Sequence, residues 1–398
     1  MKWEKVKLGN VTDSCLGKML DQNKNKGDYQ PYLANVNVRW GEFDLEDLPL
    51  MKFEESEQER YELKYGDLVI CEGGEPGRCA IWKEQIPNMK IQKALHRVRV
   101  HDCLDYRYLF YWFLLAGKTG ELDQYFTGAT IKHMPGQKLK EVVIDKPPLE
   151  IQHRIADILS AYDDLIENNQ KQIKLLKEAA QRLYKEWFVD LHFPGHENTK
   201  IVDGVPEGWS VYPFSSKVDI MSGGTPKTSI PDYYNGKIPF YTPKDSDGAF
   251  FAYKTQINIT EGGLKNCNSR LYPPKTVIIT ARGTVGKTTI LAVPMAMNQS
   301  CYALKMKEND APYYLFFALN NEIKALQTMA NGGVFNTIIG KTFDSINIQI
   351  PKDPLIYGFE KTVRPFMEQI KNKLQANSKL VEARDRLLPK LMSGEVKV

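Results

Sequence analysis

Long apolar runs are missing from this chain of 398 residues. None approaches the roughly 20 residues that a helix needs to cross a bilayer. The opening, MKWEKVKLGN, has no apolar stretch of the kind a secretory signal carries. Both absences point to a cytoplasmic protein with no membrane contact. The six cysteines (Cys15, Cys71, Cys79, Cys103, Cys267 and Cys301) form no C-x-x-C pair. That argues against a zinc site or a disulfide framework, and for buried free thiols in a reducing compartment. A strong charge of either sign is absent too. The net charge of +4 permits phosphate contacts but excludes a non-specific polycation, so any nucleic-acid role must rest on local patches.

Catalytic signatures are also lacking. The Pro-Pro pairs follow Lys146 and Tyr272, not the Asn or Asp that a DNA-amino methyltransferase motif requires. No paired carboxylates with a nearby lysine mark a nuclease. His192 and His196 are separated by Pro194-Gly195, so they cannot share a helical face as metal ligands. One motif comes close to a catalytic part. Ala281-Arg282-Gly283-Thr284-Val285-Gly286-Lys287-Thr288 nearly fits a phosphate loop, with Ala in the first glycine position. A phosphate loop must open a helix. The residues that follow, Thr288-Thr289-Ile290-Leu291-Ala292-Val293-Pro294, are β-branched and end in proline, so they read as a strand and the loop as a hairpin turn. Nucleotide binding therefore stays the alternative.

What is present is a repeat. Lys2 to Leu8 has a counterpart in Gly208 to Phe214. Asp67-Leu68-Val69-Ile70 runs into Gly74-Glu75-Pro76-Gly77-Arg78, as Thr276-Val277-Ile278-Ile279 runs into Gly283-Thr284-Val285-Gly286-Lys287. Gln92 and Gln299 follow at similar distances. Aromatic helices come next, from Tyr106 and from Tyr313, and their spacing favours core packing over base stacking. Each half then has a glycine-centred loop (Thr127-Gly128-Ala129-Thr130; Gly332-Gly333-Val334-Phe335), an alternating strand closed by Pro147 or Pro351, and a long helix. The chain is thus read as two copies of an α/β (α+β) domain, each followed by a long helix.

In the first long helix the apolar seam runs through Ile155, Ile158, Tyr162, Ile166, Asn169, Ile173, Leu176, Ala180 and Leu183 at alternating spacings of four and three, with one stutter. The second offers Val363, Phe366, Ile370, Leu374, Leu380, Leu387 and Leu391, a less regular seam broken by Asn377 and Arg384. A helix this long needs a partner to bury its stripe. The first leads from one domain to the next and the second leaves from the C-terminal one. If they pair, they run antiparallel, as a coiled coil with pseudo-two-fold symmetry. The other arrangement folds each helix onto its own domain.

Polar and basic turn residues are the candidate DNA contacts: Arg78, Arg282, Thr284 and Lys287 in the paired turns; Thr242 and Lys244; Thr130 and Lys132 in one glycine loop and Asn336 in the other; Gln92, Lys93, Thr225 and Gln299. Each has a plain alternative as a solvated turn residue.

At this point the pattern resembles the specificity subunit of type I restriction-modification systems over essentially the whole chain. The residues that carry the resemblance are Pro147-Pro148-Leu149-Glu150-Ile151-Gln152, Leu183 to Asp190 with Phe193-Pro194-Gly195, and Ser222-Gly223-Gly224-Thr225-Pro226 with Ile238-Pro239-Phe240. The second helix departs from it, opening Pro354-Leu355-Ile356-Tyr357-Gly358 without Glu-Gln. The resemblance implies target recognition domains at 1–147 and 206–353, spacer helices at 148–190 and 354–398, and a linker at 191–205. It also implies a non-catalytic reader of a bipartite, asymmetric double-stranded DNA site, holding two methyltransferase subunits and, through them, the restriction-translocase subunits. S-adenosylmethionine, ATP and Mg2+ would then sit on those partners, with no cofactor or metal in this chain. An autonomous DNA-binding regulator is a further alternative, separable because it should bind DNA tightly alone.

Overall fold

The computed structural model describes residues 3–21, 25–329 and 337–398. The second glycine loop (332–335) and the candidate Asn336 lie outside the described residues, as does Lys2. The chain divides into two compact units, Met1–Glu167 with Lys379–Val398, and Asn168–Ser378.

In the first unit, a four-stranded antiparallel sheet is ordered Thr12–Leu16, Leu95–Val100, Leu68–Cys71, Cys79–Ile81. A three-stranded sheet joins Leu50–Phe53, Asp28–Leu33 and Lys90–Ile91, the last pair parallel. The central strand shows why its sequence is continuously apolar. Leu68 and Ile70 enter one core with the helix Tyr106–Thr119, while Val69 and Cys71 enter a second core with Trp82 and Leu95. Both faces are covered, so no polar alternation is left.

The second unit repeats this with a five-stranded sheet, Val218–Ser222, Cys301–Met306, Val277–Thr280, Thr288–Leu291, Phe251–Ala252, and a three-stranded one around Tyr234–Tyr241. Val277 and Ile279 again face one core and Ile278 the other. Each unit also pairs its opening strand with the strand before its long helix: Glu4–Lys7 with Val143–Lys146, and Ser210–Pro213 with Asn347–Ile350.

The start of the aromatic helix is built differently in the two units. Asp105 caps the first, accepting from the N–H groups of Arg107 and Tyr108, and the fully buried Gln152 amide oxygen accepts from Asp105 N–H. The second helix, Pro312–Met329, has Ala311 before it and no such side chain. Its Tyr314 N–H instead donates to Glu360 at 2.8 Å, a carboxyl brought in from the second long helix. Glu360 thus takes the place of the Asp105 cap, accepting from Tyr314 N–H as Asp105 does from Tyr108 N–H.

The long helices are Leu149–Tyr184, continued by one π-helical turn at Lys185–Val189, and Asp353–Met392. The second starts firmly with Pro354 in its first turn, where proline is tolerated. Gly358 lies inside the helix, and a Cβ there would stand 3.8 Å from the Trp187 ring.

In the first unit Ile155, Ala156 and Leu159 share a core with Leu388, Leu391 and Met392, and Asp163 pairs with Arg384. In the second unit Ile173, Ala180 and Tyr184 meet Ile356, Phe359, Val363, Met367 and Ile370, while Asn169 donates to Asn377 at 2.8 Å. The segments are antiparallel in each unit. Three seam assignments shift by one residue; in the first helix Leu159 is buried and Ile158 exposed. In the second, Met367 and Leu388 are the buried positions, and Phe366 and Leu387 flank them half-buried. With that correction Val363, Met367, Ile370, Leu374, Asn377, Arg384, Leu388 and Leu391 keep one four-three register, the position between Asn377 and Arg384 being the exposed Val381. Asn377 and Arg384 do not break the seam; they occupy it and are paired across it. Of the other seam residues, Leu176 and Leu183 pack half-buried against the second unit's core, and Tyr162, Ile166 and Leu380 are half-buried.

Candidate nucleic-acid interface

The turn between the two central strands is a hairpin in both units. Strand Val277–Thr280 pairs antiparallel with Thr288–Leu291, so a strand, not a helix, follows the glycines. The glycines therefore open no helix, and this motif is a hairpin turn, not a phosphate loop.

The two turns share three backbone hydrogen bonds. Cys71 N–H donates to Arg78 O, Gly77 N–H to Cys71 O, and Arg78 N–H to Glu75 O. In the second unit Thr280 N–H donates to Lys287 O, Gly286 N–H to Thr280 O, and Lys287 N–H to Thr284 O. The glycines that make this possible have positive φ in both: Gly74 (74°) and Gly77 (90°), Gly283 (78°) and Gly286 (81°). Arg78 is therefore the counterpart of Lys287, Glu75 of Thr284, and Gly73 of Arg282.

Beside each turn lies a 3₁₀ turn, Asn35–Asn37 in the first unit and Pro243–Asp245 in the second. Its preceding N–H is accepted by Asn37 Oδ1 (2.9 Å) in one and Asp245 Oδ2 (2.8 Å) in the other. A Cβ on Gly74 would meet Asn35, and one on Gly283 would meet Pro243. Thr284 Oγ1 donates to Pro243 O at 3.2 Å. A third strip completes the edge. Gly17 lies against the carbonyls of Ile91 and Gln92, as Gly223 lies against those of Met297 and Asn298. Gln92 N–H donates to Leu33 O, and Asn298 N–H to Tyr241 O, both at 3.0 Å. This corrects one pairing: the counterpart of Gln92 is Asn298, and that of Gln299 is Lys93.

In the second unit these strips bring Thr225, Thr242, Lys244, Arg282, Thr284 and Gln299 together. Thr225 Oγ1 donates to Gln299 Oε1, and Ala281 N–H donates to Ser300 O at 2.7 Å. Arg282, Thr284, Lys244, Thr225 and Gln299 are exposed. Thr242 is half-buried, its hydroxyl and N–H both tied to Asp245. Among the described residues no carboxylate forms an ion pair with Arg282, Lys244 or Lys287. Lys287 lies somewhat apart, over a recess it shares with Arg182, Lys185 and Asn320.

The first unit is different at the same place. Arg78 is turned inward, bonded to Asn35 O (3.1 Å), Asn35 Oδ1 (2.8 Å) and Glu75 (3.1 Å), with a side chain only 17% exposed. Its guanidinium holds the turn together and is not free to meet DNA as expected from sequence. Glu75 also accepts from Trp40 Nε1 at 2.7 Å. The glycine loop closes on itself through mutual hydrogen bonds of Thr127 and His133, and His133 bridges to Gly73. Thr130 on that loop is exposed, and Lys132 pairs loosely with Asp123 at 3.6 Å. Gln92 is half-buried, Lys93 exposed.

No reactive thiol lies here. Burial pushes the Cys71 thiol up to about 11, with nearby Arg78 pulling it the other way, and Cys301 up to about 12. Cys71, Cys79 and Cys301 are buried as expected, but Cys103 is exposed. Among the described residues no cluster of three His, Cys, Asp or Glu side chains could hold a metal, and no helix is long and apolar enough to cross a membrane.

Comparison with known proteins identifies the family. Residues 1–178 and 206–377 match the family described as type I restriction modification DNA specificity domain. A type I restriction enzyme specificity subunit, MjaIX, of Methanocaldococcus jannaschii is 30% identical over 341 residues, covering 84% of this chain and 78% of that protein. The HindI specificity subunit of Haemophilus influenzae is 22% identical and covers 99% of both chains. Among solved structures, the S subunit of a type I restriction-modification system from M. genitalium aligns over 98% of this chain and 96% of its own with a TM-score of 0.60 at 18% identity, a likeness of fold.

Proposed function

This chain belongs to the type I restriction modification DNA specificity family, as a specificity subunit and not a catalytic one, and from that premise we propose that its two units each read one half of a bipartite, asymmetric double-stranded DNA site. The observation that carries this reading is the duplicated hairpin with its flanking 3₁₀ turn. One backbone scaffold is used twice while the residues displayed on it differ, as two readers of two different half-sites require. Lys244, Arg282, Thr284, Thr225 and Gln299 offer the second half-site donors and acceptors suited to base edges and phosphates. The paired helical segments set the gap between the half-sites, whose centres fall about one helical turn, roughly 10 bp, apart. They also hold two methyltransferase subunits and, through them, the restriction-translocase subunits. S-adenosylmethionine, ATP and Mg2+ act on those partners, in the cytoplasm.

Methylome sequencing with and without this gene tests the reading. The expected result is one methylated motif that disappears with the gene and consists of two unequal parts around unread bases. A single uninterrupted motif, or no motif lost, rejects it.

A further inference from the structure

The tip of the 3₁₀ turn carries Lys244 in the second unit, and the residue in the same place in the first unit is Val36. Both are exposed, and Val36 is 70% exposed. A lone exposed valine is ordinary on a protein surface; this one has a defined setting. The turn beneath it is pinned, since Asn37 Oδ1 accepts from Ala34 N–H and Arg39 donates to the Val36 carbonyl. The polar groups around it are already engaged. Asn35 bonds Gly73 O and Arg78, and Glu75 bonds Arg78 and Trp40. Where the second unit presents Arg282, the first has Gly73. On the loop whose His133 bridges to Gly73, Ile131 is 65% exposed. At the tip itself the displayed side chain is thus apolar and branched, where the other unit displays a cation, although Glu75, Lys93 and Thr130 stand exposed elsewhere on the edge.

On the reading that these edges meet DNA, we infer that Val36 contacts the C5-methyl group of a thymine in the major groove and so selects a T·A pair in the first unit's half-site. The thymine methyl is the apolar group that base pairs present in that groove. A β-branched side chain with few rotamers loses little freedom when it is seated against it. Lys244 in the equivalent place has no such preference and pairs with an acceptor on guanine or with a phosphate.

The test uses the full chain assembled with its methyltransferase subunits and a duplex carrying the methylated motif. Each thymine is replaced in turn by deoxyuridine, which removes only the methyl group. One replacement should weaken wild-type binding by about three- to fivefold, the effect of burying one methyl group. The Val36→Ala complex should lose sensitivity at that position alone. If wild type and Val36→Ala respond alike at every thymine, the inference is overturned. The same holds if Val36→Ala alters subunit assembly while leaving binding of every duplex unchanged, because the residue then serves a protein contact. Lys244→Ala and Arg282→Ala run in parallel keep the two levels apart. Weakened binding in those variants with an indifferent Val36 rejects only the thymine contact. No effect from any of the three rejects the underlying DNA face.

Discussion

The two hairpin turns share every backbone hydrogen bond described above and almost none of their surface chemistry. In the first unit the basic residue of the turn, Arg78, is consumed by Glu75 and Asn35. In the second, Arg282 and Lys287 stand exposed, and a threonine replaces the glutamate. The lesson is that the scaffold's requirements are few: two glycines at positive φ and a central strand buried on both faces. Everything outside those requirements is free to differ, so one fold can read two unlike sequences.

The cores beneath the turns differ as well, and the largest expected effect lies there. Phe359 packs against Phe188 (5.1 Å between ring centroids), Tyr184 (5.9 Å) and Trp187 (6.0 Å) in the second unit. The first unit has Ile155 in the corresponding place on its long helix. Phe359→Ala should cost about 3–5 kcal/mol and Ile155→Ala about 2–4 kcal/mol. Thermal unfolding with limited proteolysis should locate the early cleavage in the second unit for the former and in the first unit for the latter. Cleavage in the same segments for both would mean that the two cores are not separate.

A second difference is how the aromatic helices are anchored. Glu360 is almost fully buried, and that burial raises its carboxyl pKa to about 7, although Tyr314 N–H and Arg364 pull it down. The folded unit therefore keeps a proton that the unfolded chain loses near 4.5. Stability should fall as pH rises through the window from there to about 7 and level off above it, by on the order of 3 kcal/mol in all. Glu360→Gln keeps an acceptor for Tyr314 and should flatten that slope. Urea unfolding at pH 5 and pH 8 checks it; an unchanged slope would place the proton elsewhere.

Much of this comparison was legible in the sequence, because it depends on local pattern. The order of landmarks showed the repeat, and the β-branched run ending at Pro294 distinguished a hairpin from a phosphate loop. Less was legible where the partner is distant in sequence. Nothing near Arg78 shows that Asn35 will hold it, and nothing near Ala311 shows that Glu360 will cap the following helix. The one-residue shifts at Ile158, Gln299, Phe366 and Leu387 have a related cause. Apolar and amide residues sit next to one another there (Ile158-Leu159, Phe366-Met367, Leu387-Leu388, Asn298-Gln299), and sequence offers no means of choosing which one faces inward.

The exposed edges should separate in a binding assay. Arg282→Ala is expected to weaken specific binding by about 1–3 kcal/mol if it meets a base edge. If it meets a phosphate, it should weaken all sequences alike and lower the salt slope by about 1. Gel shifts of the assembled methyltransferase at several salt concentrations distinguish these. Unchanged affinity at every salt removes Arg282 from the interface.

The smallest effect comes from making one turn resemble the other. Glu75→Thr installs in the first turn the residue the second already carries. Glu75 is half exposed, and its ion pair with Arg78 is of a kind worth less than about 1 kcal/mol. Arg78 keeps both bonds to Asn35, and the turn keeps its glycines, so the fold should survive with little change in melting temperature. What changes is the charge. One carboxylate leaves an edge that would face phosphates, and affinity should rise a few-fold at low salt. The gain should fade as salt rises, since an exposed charge acts through a screened field. The measurement is the affinity of the assembled complex for its own motif at about 50 and 200 mM salt. A gain that persists undiminished at high salt would mean that Glu75→Thr has freed Arg78 to make a direct contact. No gain at either salt would mean that the first turn, unlike the second, stands away from the DNA backbone.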